Sequence, residues 1–324
     1  MKKVILSMFV AMMATIAAQA QQIAVVSGGS TSLYRTLQEA INGALPGSVI
    51  YLPGGGFTIN DEVKITKKLD IIGIGHKARE GNSEANTSII GNLFFSEGSS
   101  TSSLIGCNLT GDIIIGDEDK KVTDIHVRLC NIGSLNIKNS YCEGTTINRC
   151  YVRGSISYGG TTGDITNNII AGRVTGLNGG LISCNIVLYS TLRAPTYGGF
   201  TPPFSVTGCS ITDNIITGSY CNYNCSNCYV EHNMTKVSDW GINGISLDYS
   251  AFDNLFKHNA GASTASNFHF SDEYAQYEGE VGIYAGTSFD EDALPVPCII
   301  KKDVNPQTDT SGMLKVTISV KAAE

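Results

Sequence analysis

The sequence predicts an all-β fold made of many short parallel strands. Two observations lead to this prediction: a short phrase returns along the middle of the chain, and glycine is abundant, with 36 residues in 324. In the phrase, a Cys or Asn anchor is flanked by an apolar residue two positions later and, in seven of eight copies, an aliphatic residue three positions earlier. This pattern fits a strand, a tight bend and a second strand that face one core. Frequent bends between short strands explain the glycine content.

The first five anchors follow one another at intervals of 16 to 23 residues. The eight anchors are Cys107, Cys130, Cys150, Asn168, Cys184, Asn214, Cys228 and Asn254. Four copies place a glycine four positions after the anchor, at Gly111, Gly154, Gly172 and Gly218. Such a period is typical of stacked repeats, and the phrase is too short and too β-branched for a helical repeat. Stacked strands lie about 4.8 Å apart, so each anchor would lie above the next in a parallel β-helix.

This phrase, the coil length and the opening segment from Ala40 to Gly54 resemble secreted bacterial right-handed β-helix proteins of the pectate-lyase-like superfamily. The resemblance spans roughly residues 33 to 270. It implies a single-stranded right-handed parallel β-helix, a solenoid. That superfamily includes lyases, hydrolases, epimerases and adhesins, so the resemblance predicts the fold and no single activity.

The first twenty residues predict a cleaved signal peptide. Lys2 and Lys3 form its basic start, Val4 to Ala17 its apolar stretch and Ala18 to Ala20 a small-x-small cleavage site. No cysteine follows that site to take a lipid, and no other long apolar segment exists, so we expect no membrane insertion. The mature chain keeps 20 Lys and Arg against 29 Asp and Glu, a balance of −9 that argues against nucleic-acid partners. We expect a secreted or periplasmic protein, with the cell surface as an alternative.

Four segments are expected: residues 1–20 as the signal peptide, 21–48 as a polar lead-in and capping helix, 49–270 as the β-helix and 271–324 as a β-rich C-terminal cap. Ser32 is expected to cap the helix, which ends at Pro46–Gly47. Its apolar face would comprise Leu33, Leu37, Ala40, Ile41 and Ala44. Such a helix would cover the open N-terminal end of the stack. The C-terminal segment would end in a strand with Leu314, Val316, Ile318 and Val320 on one face.

Ten cysteines in an exported chain first suggest disulfides. Cys107, Cys130, Cys150 and Cys184 share one register with Asn168, which would hold their Cβ atoms about 4.8 Å apart, beyond the usual disulfide range of roughly 3.5–4.5 Å. A column of buried thiols is therefore expected. The pairing of the other cysteines stays open: Cys142, Cys209, Cys221, Cys225, Cys228 and Cys298.

Cys221, Cys225 and Cys228 have the Cys-x3-Cys-x2-Cys spacing with which radical SAM enzymes hold an iron–sulfur cluster. The export signal and the absence of alternating strands and helices favour a disulfide or buried thiols instead. A zinc site with His232 would need a fourth ligand that the local sequence does not supply. We predict no cofactor or metal. Calcium at Asp290 and Asp292 is the alternative to a solvated acidic turn.

β-Helix lyases need a strong base beside carboxylates, and hydrolases need paired carboxylates. The candidates are Arg128, Arg149, Arg153 and Arg173 with Asp112, Asp124 and Asp164. They fall at different offsets from the anchors, so a solvated surface is the favoured interpretation. Asp213 and Asp253 share an offset, but that position is mostly polar and is also expected to face solvent. Whether the protein is an enzyme stays open.

Two interruptions of the period predict loops that project from the stack, where repeat proteins place binding surfaces. They carry Arg193, Tyr197, Phe200 and Trp240. Aromatic rings stack on sugar faces and Arg binds carboxylates, although these rings could instead close their own loops. The leading hypothesis is an exported, non-catalytic protein that binds a polysaccharide, a cell-surface glycan or another surface partner through these loops. A polysaccharide lyase or glycoside hydrolase and a structural surface spacer are the alternatives; the oligomeric state is open.

Overall fold

The computed structural model describes residues 22–60, 63–77, 86–117, 119–188, 204–217, 224–235, 243–247, 249–286, 289, 298–304 and 316–321. The chain is mostly β, and its regular elements are short. The strands of the first half are β1 (Ile23–Ser27), β2 (Ser30–Tyr34), β3 (Ser48–Tyr51), β4 (Gly55–Thr58), β5 (Lys64–Ile65), β6 (Leu69–Ile72), β7 (Thr87–Ile90), β8 (Leu93–Phe95), β9 (Ser103–Ile105), β10 (Asn108–Leu109), β11 (Ile113–Ile115), β12 (His126–Arg128), β13 (Asn131–Ile132), β14 (Leu135–Ile137) and β15 (Thr145–Asn148). Those of the second half are β16 (Tyr151–Val152), β17 (Ile156–Thr166), β18 (Ile169–Ile170), β19 (Val174–Ser183), β20 (Ile186–Val187), β21 (Phe204–Thr212), β22 (Ile215–Ile216), β23 (Asn224–Ser226), β24 (Tyr229–Glu231), β25 (Met234–Thr235), β26 (Ile245–Ser246), β27 (Phe256–His258), β28 (Asn267–Phe270), β29 (Cys298–Val304) and β30 (Val316–Lys321).

Two large sheets hold most of these strands. The first sheet joins 16 strands, with β3–β6–β9–β12–β15 in one wing and β5–β8–β11–β14 in the other. The long strands β17, β19 and β21 run through both wings and connect them. The second sheet joins ten strands in the order β26–β25–β22–β20–β18–β16–β13–β10–β7–β4. From β3 to β26 all pairings within these sheets are parallel, so each successive repeat of the chain adds strands beside those of the repeat before it.

The bend between the first and second sheets contains the anchor of the repeat. One residue before the anchor, the backbone adopts positive φ, from 50° to 58°, at Leu129, Arg149, Asn167, Cys184, Asp213 and His232. Behind this bend, Asn168, Asn185, Asn214 and Asn233 form an asparagine ladder. The backbone N–H of each donates to the side-chain oxygen of the next, at 2.9–3.0 Å. Their side-chain amides also donate to one another and to backbone carbonyls of earlier strands, so these buried amides are satisfied.

The ladder corrects two of the predicted anchors. Cys184 lies at the positive-φ position, and Asn185 is the anchor of that repeat. The next anchor after Asn214 is Asn233, 19 residues on, where Cys228 was predicted. Asn254 follows a short 3-10 helix, Tyr249–Asp253, outside the parallel register. The first error has a local cause: the adjacent residues Cys184 and Asn185 satisfy the pattern equally, and only hydrogen bonding shows which one points inward.

The N-terminal part differs from expectation. Ser32 lies in β2, which pairs antiparallel with β1, and the segment expected as a polar lead-in contains strand β1 with Ile23 and Val25 buried. The helix, α1 (Leu37–Gly43), begins one turn later because Thr36 and Glu39 form a capping box. Its buried face comprises Leu37, Ala40, Ile41 and the adjacent Ala44, as predicted, whereas Leu33 is 59% exposed. This face belongs to the main apolar core.

The thiol column is confirmed for three of its four members. Cys107, Cys130 and Cys150 are free thiols with no exposed surface, and Cys150 N–H donates to Asn168 at 2.9 Å, which joins the column to the asparagine ladder. Burial raises the pKa of the Cys107 and Cys150 thiols well above their usual range. Cys184 is half-buried at the bend instead.

Residues 249–286 and Phe289 pack on the outside of the second sheet; we call them the covering segment. Its apolar side chains include Phe252, Leu255, Phe268, Ile283 and Phe289, which cluster with the outward side chains of β16, β18, β20, β22 and β25. This segment begins before the boundary expected at residue 271, and the last parallel strand that the structure describes is β26. Strands β29 and β30 form an antiparallel pair, which includes the predicted last strand. No helix among the described residues is long and apolar enough to cross a membrane.

Candidate binding groove

A groove lies on the outer face of the first sheet, over its N-terminal strands. Two outward rows run across strands β3, β6, β9, β12 and β15, on either side of inward residues such as Ile50, Leu104 and Val127. One row comprises Val49, Asp70, Ser103, His126 and Thr146, and the other comprises Tyr51, Ile72, Ile105, Arg128 and Asn148. Together these rows line a cavity of about 530 Å³.

The strand period places the polar groups of this groove close together. His126 and Arg128 flank the buried Val127 on β12, and Thr146 and Asn148 occupy the matching positions on β15. Same-face neighbours along a strand are about 6.6 Å apart and adjacent strands about 4.8 Å apart. Four polar side chains therefore occupy one small patch of the groove.

Most polar groups of the groove have partners. The Ser103 hydroxyl donates to Asp70 at 2.7 Å, and Lys68 Nζ lies 3.4 Å from the other oxygen of that carboxylate. His126 Nδ1 lies 2.8 Å from the Thr146 hydroxyl. Arg128 differs: its guanidinium has no salt bridge or side-chain hydrogen bond to any residue that the structure describes. Among the described residues, the charge of Asp70 is offset by Lys68, whereas no carboxylate forms an ion pair with Arg128.

The other part of the groove is apolar and aromatic. Tyr51 is 41% exposed at the N-terminal end of its row, and Ile72 and Ile105 follow it on β6 and β9. An exposed aromatic ring beside aliphatic side chains and a few hydrogen-bonding groups is the usual composition of a ligand site. The arrangement can hold a partly apolar, hydroxyl-rich ligand against the sheet.

The predicted binding residues lie elsewhere in the chain. Arg193, Tyr197, Phe200 and Trp240 fall outside the described residues, as do Cys221 and the acidic pair Asp290 and Asp292.

The charged residues weighed as catalytic candidates do not converge. Arg153 donates to Asn131 at 3.0 Å and to the carbonyls of Leu109 and Thr110, beside the second sheet. Arg149 lies at the bend with φ 54°, and only Arg128 lines the groove.

The carboxylates are used structurally. Asp112 accepts the backbone N–H of Ser134 at 2.6 Å, and Asp164 accepts that of Leu181 at 3.0 Å. Asp213 lies 2.8 Å from His232 Nδ1, so the histidine weighed as a zinc ligand already has a carboxylate partner. In the described part of the chain, no three His, Cys, Asp or Glu side chains are grouped so that they could hold a metal ion.

Sequence reasoning missed Tyr51, Asp70, His126 and Asn148 as one group. The signal was available: each lies two residues from another outward residue, with a buried aliphatic residue between them. Aligning the repeats on that aliphatic residue, instead of on the anchors, would have placed these side chains in common rows.

No protein-family model matches the chain, and the comparisons with curated proteins and with solved structures find no match either.

Proposed function

We propose that the chain is an exported right-handed parallel β-helix of the pectate-lyase-like kind that binds a glycan on the outer face of its first sheet. The parallel, repeat-like stacking of the two sheets supports the β-helix part of this proposal. The basic, apolar and small-residue order of residues 1–20 supports export.

The groove carries the binding part of the proposal. Its aromatic ring and its guanidinium occupy one row, with Tyr51 on β3 and Arg128 on β12. No carboxylate among the described residues forms an ion pair with Arg128. Tyrosine packs against the apolar face of a sugar ring, and arginine offers paired N–H donors to hydroxyl or carboxylate oxygens. Five strands at about 4.8 Å spacing span about 19 Å, so a short stretch of a linear glycan would contact several repeats at once. The loops with Arg193, Tyr197, Phe200 and Trp240 remain proposed as further contacts.

Affinity electrophoresis of the mature chain in gels containing acidic or neutral polysaccharides tests this proposal. We expect Tyr51→Ala and Arg128→Gln each to weaken retardation by about tenfold, the loss of one good contact. Tyr229→Ala is the matched control, because Tyr229 is 51% exposed on the far strand β24 of the same sheet. Arg149→Gln is the control for the loss of one positive charge. Equal retardation of the groove variants and the controls would refute the proposed site.

The same samples separate binding from catalysis. Growth of unsaturated product or of new reducing ends, lost in Arg128→Gln, would make the groove a lyase or hydrolase site. Retardation without product supports binding alone. No retardation and no product across the panel would overturn the glycan proposal and favour a structural spacer.

A further inference from the structure

Three thiols meet near the C-terminal end of the first sheet. Cys209 lies in β21, Cys225 in β23, and Cys228 immediately before β24. The backbone N–H of Cys209 donates to Cys228 Sγ at 3.4 Å. Burial, together with the nearby Cys228 thiol, raises the pKa of the Cys209 and Cys225 thiols. Two cysteines of the Cys-x3-Cys-x2-Cys segment therefore share one cluster with a cysteine from the preceding repeat.

The thiol column provides an internal comparison. There too a backbone N–H, that of Cys130, donates to the sulfur of the next repeat, Cys150, at 3.4 Å. Cys130 and Cys150 have no exposed surface, whereas Cys225 and Cys228 are only half-buried. The two clusters share their local geometry and differ in access, so a reagent from solution reaches only the second.

Backbone geometry distinguishes the two partners available to Cys228. Cys209 and Cys228 directly precede the register pair Ser210 and Tyr229 on adjacent parallel strands. That register holds their Cβ atoms about 4.8 Å apart, wider than a disulfide prefers. Cys225 and Cys228 are not paired in a ladder, because the chain bends between them at Asn227, where φ is 54°.

We propose that Cys225 and Cys228 are an oxidation site that forms an intrachain disulfide when the folded chain meets a disulfide oxidant, while Cys209 stays a thiol. In the first step the Cys228 thiolate attacks the oxidant's disulfide, forms a mixed disulfide and releases one oxidant thiol. Cys225 then attacks the Cys228 sulfur and releases the second oxidant thiol. Two protein thiols lose two protons and two electrons, and the oxidant gains both.

Burial of the thiols affects the rate of this reaction. It raises the pKa of Cys225 to about 12 and that of Cys209 to about 11, so both are thiols at neutral pH. Only thiolates are nucleophilic, so closure by Cys225 is expected to accelerate from pH 7 to pH 9.

Incubation of the folded mature chain with oxidised glutathione, followed by alkylation and peptide mass spectrometry, tests the site. We expect one internal disulfide between Cys225 and Cys228, with Cys107, Cys130 and Cys150 alkylated only after denaturation. In the Cys225→Ser variant the reaction should stop at the mixed disulfide between glutathione and Cys228. In the Cys228→Ser variant Cys225 should form no internal disulfide. Cys209→Ser and Cys221→Ser should leave the bond intact, and circular dichroism would confirm that each variant is folded.

Several outcomes would overturn the proposal. A Cys209–Cys228 bond would show that the strand register does not exclude that pair, and a bond to Cys221 would place the site elsewhere. Equal oxidation of the thiol column would show that solvent exposure does not decide which thiols react. Persistence of all the thiols at pH 9 would show that the cluster is inert.

Discussion

The outer faces of the two sheets differ in polarity and burial, although the same repeats form both sheets. On the first sheet the outward row from β6 to β15 is polar, with Asp70, Ser103, His126 and Thr146, and it borders an open groove. On the second sheet the outward residues from β16 to β25 are apolar and buried. They are Tyr151, Ile169, Ile186, Ile215 and Met234. The covering segment explains this difference, because its described apolar side chains cluster with the outward residues of the second sheet.

The second sheet itself changes along its length. Ser88, Asn108 and Asn131 occupy the same outward row in the earlier repeats, before Tyr151. Asn108 Nδ2 donates to Ser88 at 3.1 Å, so the early part of the row satisfies its polar groups by pairing along the stack. The polarity of the outward residue therefore changes where the sheet is covered, whereas the inward residues Leu109, Ile132 and Val152 are apolar on both sides of this change. On the second sheet, the apolar outward row coincides with the covering segment.

Bonds at the bend keep the covering segment in place. Asn167 Nδ2 donates to the carbonyls of Ile283 at 3.1 Å and Ala285 at 3.3 Å. The Gly282 N–H donates to the carbonyl of Asp213 at 2.7 Å. Gly282 has φ 76°, and a Cβ there would lie 2.5 Å from Ile215. The left-handed bend of the repeat thus gives the covering segment both donors and acceptors.

The largest expected effect compares one substitution on the two faces. Ile186→Ala removes a fully buried side chain under the covering segment and should lower the free energy of unfolding by about 3 kcal/mol. Ile105→Ala removes the same atoms from an outward, half-exposed position in the groove and should cost about 1 kcal/mol or less. Urea unfolding of both variants measures the difference. Equal losses would mean that the covering segment does not bury the second sheet in solution.

A smaller effect is expected at a bond within the covering segment. Glu278 accepts the Phe270 N–H at 3.0 Å and lies 2.6 Å from His269 Nδ1, whose ring stacks on Tyr284. Glu278→Ala should destabilise the fold by about 1 kcal/mol, because it removes a charged hydrogen bond at a partly exposed site.

Hydrogen exchange locates this loss. Amides of the covering segment should exchange faster in Glu278→Ala, while those of the groove strands should not change. Glu280→Ala is the control, since Glu280 is exposed on the same segment. Equal exchange rates in the two variants would show that the hydrogen bonds of Glu278 do not stabilise the covering segment.

The smallest effect concerns an exposed ion pair on the other wing of the first sheet. A hydrogen bond from Lys64 at 2.6 Å lowers the pKa of Asp117. A carboxyl whose folded-state pKa is depressed stabilises the fold above its unfolded-state pKa, and this contribution is lost as the pH falls through the folded-state value. Asp117 is 35% exposed on its side chain, so the contribution should stay below about 1 kcal/mol.

Urea unfolding of wild type and Asp117→Asn from pH 7 to pH 2 tests this sign. The two stability curves should converge at acid pH, where the wild-type carboxyl is also protonated. A difference in unfolding free energy that grows as the pH falls would contradict a stabilising role of the Asp117 carboxylate.

Much of the strand architecture could be predicted from local pattern. The inward rows are read from apolar residues beside a small anchor, as at Val127–Cys130 and Ile147–Cys150, because a side chain that faces the core must be apolar or satisfied locally. The buried free thiols followed from the fixed spacing of stacked strands. The helix start was missed since Thr36 and Glu39 cap it, while Ser32 pairs in β2.

The groove was not predicted as a site because its members come from five strands, and no local stretch contains more than two of them. Tyr51 and Arg128 are 77 positions apart in sequence and share a row only after the repeats stack.

By itself the sequence determined the all-β class, the repeat, the inward rows and the thiol column, because each depends on spacing within one or two repeats. The tertiary structure alone decided which outer face is open and which is covered. A polar or apolar outward residue is compatible with any exposure until a distant segment packs on it. The free energy that holds the covering segment on the second sheet comes from contacts between residues 100 or more positions apart. One such contact joins Asn167 and Ile283, which are separated by 116 positions.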